Sequence, residues 1–328
     1  MAKTISKKKS QKFKPHKSFK RSYREDYAVE DNSPSVLQQL IATCKILFKN
    51  WKLFLPLLII IVLLNILFIG LMSSSEYNRY QSIIKETSEQ VNEEIGVFPK
   101  AGLLLVSTIT TGGLFNSSSE VTGVFSAIIF LITWLVTIYL LRHILAGHKV
   151  KLRDGLYNAM TPLISTFVVF AVLLIQCIPA LFLVIAYSAA VQTDFLSTPF
   201  YALLFFVFAA LMIILTSYLV SSSLIALVAV SAPGLYPFYA LRTASELMSG
   251  RRINFIIRLL GLIIFLLVVW AVIMIPIIML DLWLKSFEWA ANIPFVPICL
   301  VIMTSLTCIY STAYLYLYYR GLLDYEKN

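Results

Sequence analysis

The chain alternates between long apolar runs and shorter polar intervals, and this pattern predicts a bundle of membrane-spanning helices. A helix needs roughly 20 consecutive apolar residues to cross a bilayer core about 30 Å thick. Six runs reach this length, so we predict transmembrane helices at 53–72, 123–145, 163–187, 202–230, 255–280 and 293–316. The predicted fold class is an all-α polytopic membrane helix bundle with six transmembrane helices.

The interval before the first span has the pattern of an amphipathic helix. Ser33 and Pro34 are typical of a helix start. Apolar residues then recur at helical spacing, and lysines lie beside them; the apolar set is Leu37, Leu40, Ile41, Cys44, Leu47 and Trp51, and the lysines are Lys45, Lys49 and Lys52. A Trp and several Lys at headgroup level are typical of helices at a membrane interface. We predict an interfacial amphipathic helix at 33–52.

A second polar interval, at 236–252, separates two very long apolar runs, and we call it the elbow. Read as a helix, it places Phe238, Leu241, Ala244 and Met248 on one face and three polar residues, Arg242, Glu246 and Ser249, on the other. Gly250 is expected to end the helix in a left-handed conformation. Arg251 and Arg252 would then face the lipid headgroups. The candidate docking residues are Leu241, Arg242, Glu246, Gly250, Arg251 and Arg252.

The segment between the first two spans, at 73–121, is predicted to lie on the extracytoplasmic side. It contains an apolar stretch at 101–115 with two adjacent glycines, Gly112 and Gly113. Fifteen residues fall short of a comfortable span. The stretch is re-entrant, interfacial or a span. We expect one of the first two, because a span here would place every later loop on the opposite side of the membrane.

The charge of the chain is concentrated in its first residues. Only 13% of all residues are charged, against roughly 25% in soluble proteins, yet the net charge is +10. Ten Lys and Arg residues precede the first acid, Glu25. We therefore predict a disordered basic tail at 1–32, which either orients the chain or binds anionic headgroups. Its interleaved aromatic residues are only a weak sign of RNA contact, so nucleic acid is not an expected partner.

The distribution of positive charge predicts the orientation in the membrane. With the N-terminus inside, 23 of the 27 Lys and Arg residues lie on the cytoplasmic side. The four outside are Arg79, Lys85, Lys100 and Lys285. Because cytoplasmic loops carry an excess of Lys and Arg, both termini are predicted to be cytoplasmic. The transmembrane domain then covers 53–320, and a short cytoplasmic tail covers 321–328.

The residues offer little catalytic chemistry. His143 and His148 lie beside Arg142 and Lys149 at the end of a predicted span, which is typical of interface anchors. Four cysteines in apolar surroundings, Cys44, Cys177, Cys299 and Cys308, lack metal-ligand spacing. Arg258 is expected to snorkel from the end of its span. We expect no enzymatic activity, no cofactor and no metal, and the lack of mid-membrane charges argues against an ion-coupled transporter.

The elbow carries a resemblance to a known family. Its segments Ala240-Leu241-Arg242, Glu246-Leu247 and Gly250-Arg251-Arg252 resemble a loop of the bacterial membrane domain found fused to glycerophosphodiester phosphodiesterases. Related stand-alone multi-spanning proteins form the YciC-like group. The resemblance implies about six helices, with this loop on the cytoplasmic side of a bacterial cytoplasmic (inner) membrane. The phosphodiesterase domain has no counterpart in the chain, so the resemblance implies no catalysis.

Two functions remain open from the sequence. The first is an integral membrane protein without catalytic activity that organises lipid or a partner protein through the elbow. The alternative is the membrane subunit of a transporter, in which the elbow docks an ATPase. Membrane lipids are expected partners in either case, with anionic headgroups at the basic tail.

The predicted orientation can be tested by labelling single cysteines introduced into a variant that lacks the native ones. An impermeant reagent added outside should label cysteines at positions 89, 192 and 288, and should not label positions 149 and 249. Outside labelling at position 249 would show that the stretch at 101–115 crosses the membrane.

Overall fold

A computed structural model of the chain describes residues 35–68, 120–193, 195–232, 234–284 and 295–327. These residues form α-helices, one turn of 3₁₀ helix at Phe195–Ser197 and no strand. The helices are α1 (Val36–Lys49), α2 (Trp51–Phe68), α3 (Glu120–Leu145), α4 (Leu152–Asn158), α5 (Leu163–Gln176), α6 (Ile178–Gln192), α7 (Pro199–Ala229), α8 (Pro237–Leu247), α9 (Arg252–Leu284) and α10 (Phe295–Lys327). The predicted tail at 1–32 and the apolar stretch at 101–115 lie outside the described residues, as does nearly all of the segment at 73–121.

Six helical stretches among these residues are long and apolar enough to span a membrane. They are Trp51–Phe68, Gly123–Leu145, Leu163–Ala190, Pro199–Ala229, Arg252–Asp281 and Phe295–Leu323. The predicted all-α polytopic membrane bundle is confirmed. The third stretch consists of two helices, α5 and α6, which meet at Cys177. Pro179 explains the break, because its ring nitrogen cannot donate to a carbonyl in the preceding turn.

One end of the bundle holds both short helices, α4 and α8, and we call it the elbow end. One apolar cluster there joins α8 to the last turns of α7, the start of α9 and the end of α10. A neighbouring cluster joins α4 to α2, α3 and α10. Gly155 allows the close approach of α4, since a Cβ at this position would lie 3.0 Å from the Leu140 side chain.

The packing is densest around α3 and at the elbow end. Among the 18 most apolar consecutive residues of α3, 56% are buried. None of the 18 most apolar consecutive residues of α7 is buried. The C-terminal part of α7 is buried, and its N-terminal part exposes large apolar side chains such as Phe200, Leu203 and Leu211. Lipid contacts such side chains at no hydrophobic cost, because lipid tails are as apolar as the side chains themselves.

Helix α1 packs against α9 and α10, with Gln39, Leu40 and Thr43 facing them. Only part of the predicted apolar face is buried in this contact. Leu40 is buried, and Cys44 and Leu47 are half-buried in the same contact, while Leu37 and Ile41 remain about two-thirds exposed or more. Gln39 explains this orientation, because its side chain reaches its partners on α9 and α10 only when it faces inward.

Gln39 belongs to a buried polar cluster with Arg258 and Tyr314, which we call the clasp. The Arg258 guanidinium donates to Gln39 Oε1 at 2.8 Å, and Gln39 Nε2 donates to the Tyr314 carbonyl at 3.3 Å. The Tyr314 hydroxyl in turn donates to the Arg258 carbonyl at 3.3 Å. Arg258 is only 7% exposed, so the prediction that it snorkels is wrong. The Gln39 side chain of α1 accepts from its guanidinium, and the Tyr318 ring of α10 lies 5.4 Å from the guanidinium carbon.

The contact between α1 and α9 depends on Gly261. A Cβ at this position would lie 2.6 Å from Val36 Cγ1, too close for two carbons. Gly261→Ala should therefore lower the midpoint of thermal unfolding in detergent, because crowding a packed contact typically costs about 1–3 kcal/mol. Alanine gains only about 1 kcal/mol over glycine in a helix.

Gly321 in α10 is the matched control, because a Cβ there meets nothing within 4 Å. Gly321→Ala should leave the midpoint unchanged or raise it. Combining Gly261→Ala with Val36→Ala removes the opposing Cγ1 and should restore most of the lost stability. Equal stability of Gly261→Ala and Gly321→Ala would contradict the proposed close contact.

Candidate functional site

The elbow contains a helix, α8, and the predicted turn after it. Tyr236 has an extended backbone, and Pro237 occupies the first helical position, where its missing N–H removes no hydrogen bond. After Met248 the chain reverses at Gly250, whose φ is 78°. The prediction of a left-handed Gly250 is confirmed. This conformation favours glycine because a Cβ approaches the following carbonyl oxygen.

The inner face of α8 is formed mainly by small side chains. Ala240 and Ala244 are buried, as is Met248 just beyond the helix, and all three pack in the cluster that contains Phe255. Leu241 packs against the edge of this cluster. Alanines let the backbone of α8 lie close to α7, so the helix is fixed to the bundle along its length.

Phe238 does not lie on this inner face, although the sequence predicts that it does. Its side chain is 73% exposed. Residues two positions apart in sequence are about 200° apart around a helix. Phe238 therefore lies nearly opposite Ala240, which is at the centre of the buried face. Tyr236 and Tyr239 are also exposed, which gives the outer side of the elbow three aromatic side chains.

Arg242 and Glu246 form an ion pair on the exposed side of α8. Arg242 Nε donates to Glu246 Oε1 at 3.2 Å, and both side chains are largely exposed. Water and salt screen such a pair, so it contributes little to stability. These two side chains are accessible to a ligand or a partner, together with the three aromatic residues.

Arg252 has a structural role that the sequence did not indicate. Its guanidinium stacks 3.6 Å from the Tyr218 ring and donates to the Tyr218 carbonyl at 3.2 Å. It also donates to Ser245 Oγ at 3.3 Å. Arg252 therefore ties α7, α8 and α9 together, and its position at the headgroups stays a prediction. Arg251 is half-buried, and its backbone N–H donates to the Met248 carbonyl.

The six candidate residues are therefore divided among different roles. Only Arg242 and Glu246 share one exposed surface. Leu241 packs inward, Gly250 sets the turn, and Arg252 holds helices together. Sequence reasoning missed Tyr236 and Tyr239, although Tyr residues next to the end of a span are typical of a membrane interface.

A cavity of about 470 Å³ lies elsewhere at the elbow end. It is lined by the last turns of α3, the connection between α4 and α5, and Ser231 at the end of α7. The lining residues are Leu135, Ile138, Tyr139, Arg142, His143, Ala146, His148, Asn158, Ala159, Thr161, Pro162 and Ser231. His143 and His148, which the sequence suggests are interface anchors, thus line a cavity with Arg142.

The polar side chains of the cavity are held by hydrogen bonds. His143 Nδ1 lies 2.9 Å from the Tyr139 carbonyl, which can only accept, so this nitrogen carries a proton. Asn158 Nδ2 donates to the Tyr139 hydroxyl at 3.2 Å. Within the described residues, no group of three or more His, Cys, Asp or Glu side chains could hold a metal ion.

Gly250→Val tests the role of the turn. A β-branched residue cannot adopt a left-handed conformation cheaply, and the expected cost is about 1–2 kcal/mol. The variant should show a lower unfolding midpoint in detergent than the wild type. Ser249→Ala is the neighbouring control and should be almost silent, because the Ser249 side chain is exposed. An unchanged midpoint for Gly250→Val would show that the turn tolerates another conformation.

The comparisons with known proteins identify no relative. No family model matches the chain, and no curated protein or solved structure matches it either. The resemblance carried by the elbow segments stays a prediction.

Proposed function

We propose that this integral membrane protein has no catalytic activity and organises membrane lipid at the cytoplasmic leaflet of a bacterial inner membrane. The elbow is the proposed contact surface. The observation that carries the proposal is the two-sided character of α8, which is buried on one face and presents aromatic and charged side chains on the other.

The outer side of the elbow has the chemistry of a membrane interface. Tyr236, Phe238 and Tyr239 are all more than half exposed, and they lie close in sequence to the Arg242–Glu246 pair. Amphipathic aromatic rings are enriched at headgroup level, where one part of the ring is apolar and another is wet. The position of α8 between two spans supports the same placement. The basic tail at 1–32 would add attraction to anionic headgroups on this side.

The alternative function is the membrane subunit of a transporter whose elbow docks an ATPase. Arg252 favours it, because its contacts with Tyr218 and Ser245 connect the elbow to α7 and α9. A docked protein that moved the elbow would pull directly on two spans. This function requires a protein partner on the Arg242–Glu246 surface, whereas the lipid function does not.

Reversing one charge separates the two functions. Glu246→Lys removes the only acid of the elbow without loss of buried contacts, because the Glu246 side chain is 67% exposed. If the elbow contacts lipid, the variant should retain as much phosphatidylglycerol as the wild type after purification in detergent, or more. Native mass spectrometry of the purified protein measures the retained lipid.

Asp154→Lys on α4 is the matched control, since it reverses another exposed acid at the same end of the bundle. If the elbow contacts lipid, Glu246→Lys should retain at least as much phosphatidylglycerol as Asp154→Lys. Loss of a co-purifying ATPase in Glu246→Lys alone would support the transporter instead. Retention of less phosphatidylglycerol by Glu246→Lys than by Asp154→Lys would refute the lipid function of the elbow.

A further inference from the structure

The cavity of about 470 Å³ at the end of α3 has the composition of a small-ligand site. Ligand sites in proteins have volumes of about 300–1,000 Å³ and combine apolar walls with a few convergent polar groups. Here Leu135, Ile138 and Ala159 contribute apolar walls, and Arg142, His143 and His148 contribute nitrogen atoms that can form hydrogen bonds. No Asp or Glu is among the lining residues that the structure describes.

The backbone at the end of α3 brings the two histidines together. The His148 N–H donates to the His143 carbonyl at 3.0 Å, and the Gly147 N–H donates to the Ile144 carbonyl at 3.1 Å. With Gly147 at a φ of 79°, this is the Schellman arrangement that reverses a chain after a helix. The reversal returns His148 towards the helix, with its ring centroid 6.3 Å from that of His143.

The same turn removes carbonyl groups that would repel an anion. The last carbonyls of a helix carry partial negative charge. At this end, the carbonyls of Arg142, His143 and Ile144 accept hydrogen bonds from the three following backbone N–H groups, of Ala146, Gly147 and His148. The negative end of α3 is therefore partly neutralised where the basic side chains gather.

Several donors remain for a ligand in the cavity. The Tyr139 hydroxyl accepts from Asn158 Nδ2, so its own proton can be donated elsewhere. His143 Nδ1 is bound to the Tyr139 carbonyl, which leaves Nε2 to donate when the ring is charged. The Arg142 guanidinium can offer two parallel N–H groups, which match the geometry of phosphate oxygens.

We propose that this cavity binds a phosphate group through Arg142, His143, His148 and the Tyr139 hydroxyl. The phosphate is either that of a lipid headgroup or a free phosphate anion. A lipid would place its glycerol and first chain carbons against Leu135 and Ile138. The site goes beyond the proposed role of the elbow, because it includes none of the exposed side chains of α8.

The proposal is tested by isothermal titration calorimetry of the full-length protein in detergent. The probes are inorganic phosphate, dihexanoyl phosphatidic acid and dihexanoylglycerol, which lacks the phosphate. The double variant Arg142→Gln/His148→Gln should bind the phosphate-bearing probes at least tenfold more weakly than the wild type. If the double variant does not fold, His148→Gln alone replaces it, because this change lies at an exposed position beyond α3. The single variant should weaken binding severalfold.

Lys149→Gln is the matched control, because it removes an exposed positive charge next to His148 but not from the cavity lining. It should change the affinity less than twofold. The elbow proposal is tested by retained phosphatidylglycerol and this one by calorimetry of the cavity variants, so that failure of the elbow proposal and failure of this one can be told apart.

The three probes distinguish the source of the phosphate. Binding of phosphatidic acid but not of inorganic phosphate indicates a lipid headgroup, and binding of inorganic phosphate with equal or higher affinity indicates a free anion. Three results would overturn the proposal: no binding of either phosphate-bearing probe, equally tight binding of dihexanoylglycerol, or a loss of affinity in Lys149→Gln as large as in the cavity variants.

Discussion

The burial of the Arg258 charge is the constraint on which the arrangement of the first and last helices depends. A guanidinium taken out of water needs hydrogen-bond partners in place of solvent, and removing one partner from a buried charge typically costs about 3–5 kcal/mol. Gln39 of α1 supplies such a partner at 2.8 Å, and the Tyr318 ring of α10 lies 5.4 Å from the guanidinium carbon. Helix α1 must therefore lie against α9 and α10 with its polar residues inward, even though Leu37 and Ile41 are then left exposed. The close contact at Gly261 follows from the same placement.

Close backbone approach at a few small residues completes the elbow end. Gly155 brings α4 against α3, and Ala240 and Ala244 bring α8 against α7. In a membrane, helices associate through such packing and through interhelical hydrogen bonds, because lipid gives them no hydrophobic driving force. This accounts for the concentration of buried residues where the short helices lie. The N-terminal part of α7 is largely exposed and needs no protein contact there, because lipid can cover its apolar side chains.

The features that the sequence predicted correctly are those that depend on neighbouring residues. Run lengths locate the six spans, the periodicity locates α8, and the chemistry of glycine predicts the left-handed turn at Gly250. The features that the sequence did not indicate are tertiary contacts. Arg258 and Gln39 are 219 positions apart, and Arg252 contacts the Tyr218 carbonyl across 34 positions, so no local pattern reports either contact. The cavity likewise forms from three separate segments, and only their meeting makes His143 and His148 line a cavity.

These tertiary contacts also decide which basic residues can serve a function. Arg252 and Arg258 have their guanidinium groups engaged by α7, α8 and α1, and a ligand could reach them only by replacing contacts that hold the bundle together. Arg242 and Arg142 are exposed, and they lie on different surfaces of the elbow end, the first on α8 and the second in the cavity. Glu246 already balances the charge of Arg242, whereas no acid lines the described part of the cavity around Arg142. The stronger attraction for an anion therefore lies at the end of α3, and the elbow, with its three exposed aromatic residues, is better suited to the less selective contact of a membrane interface.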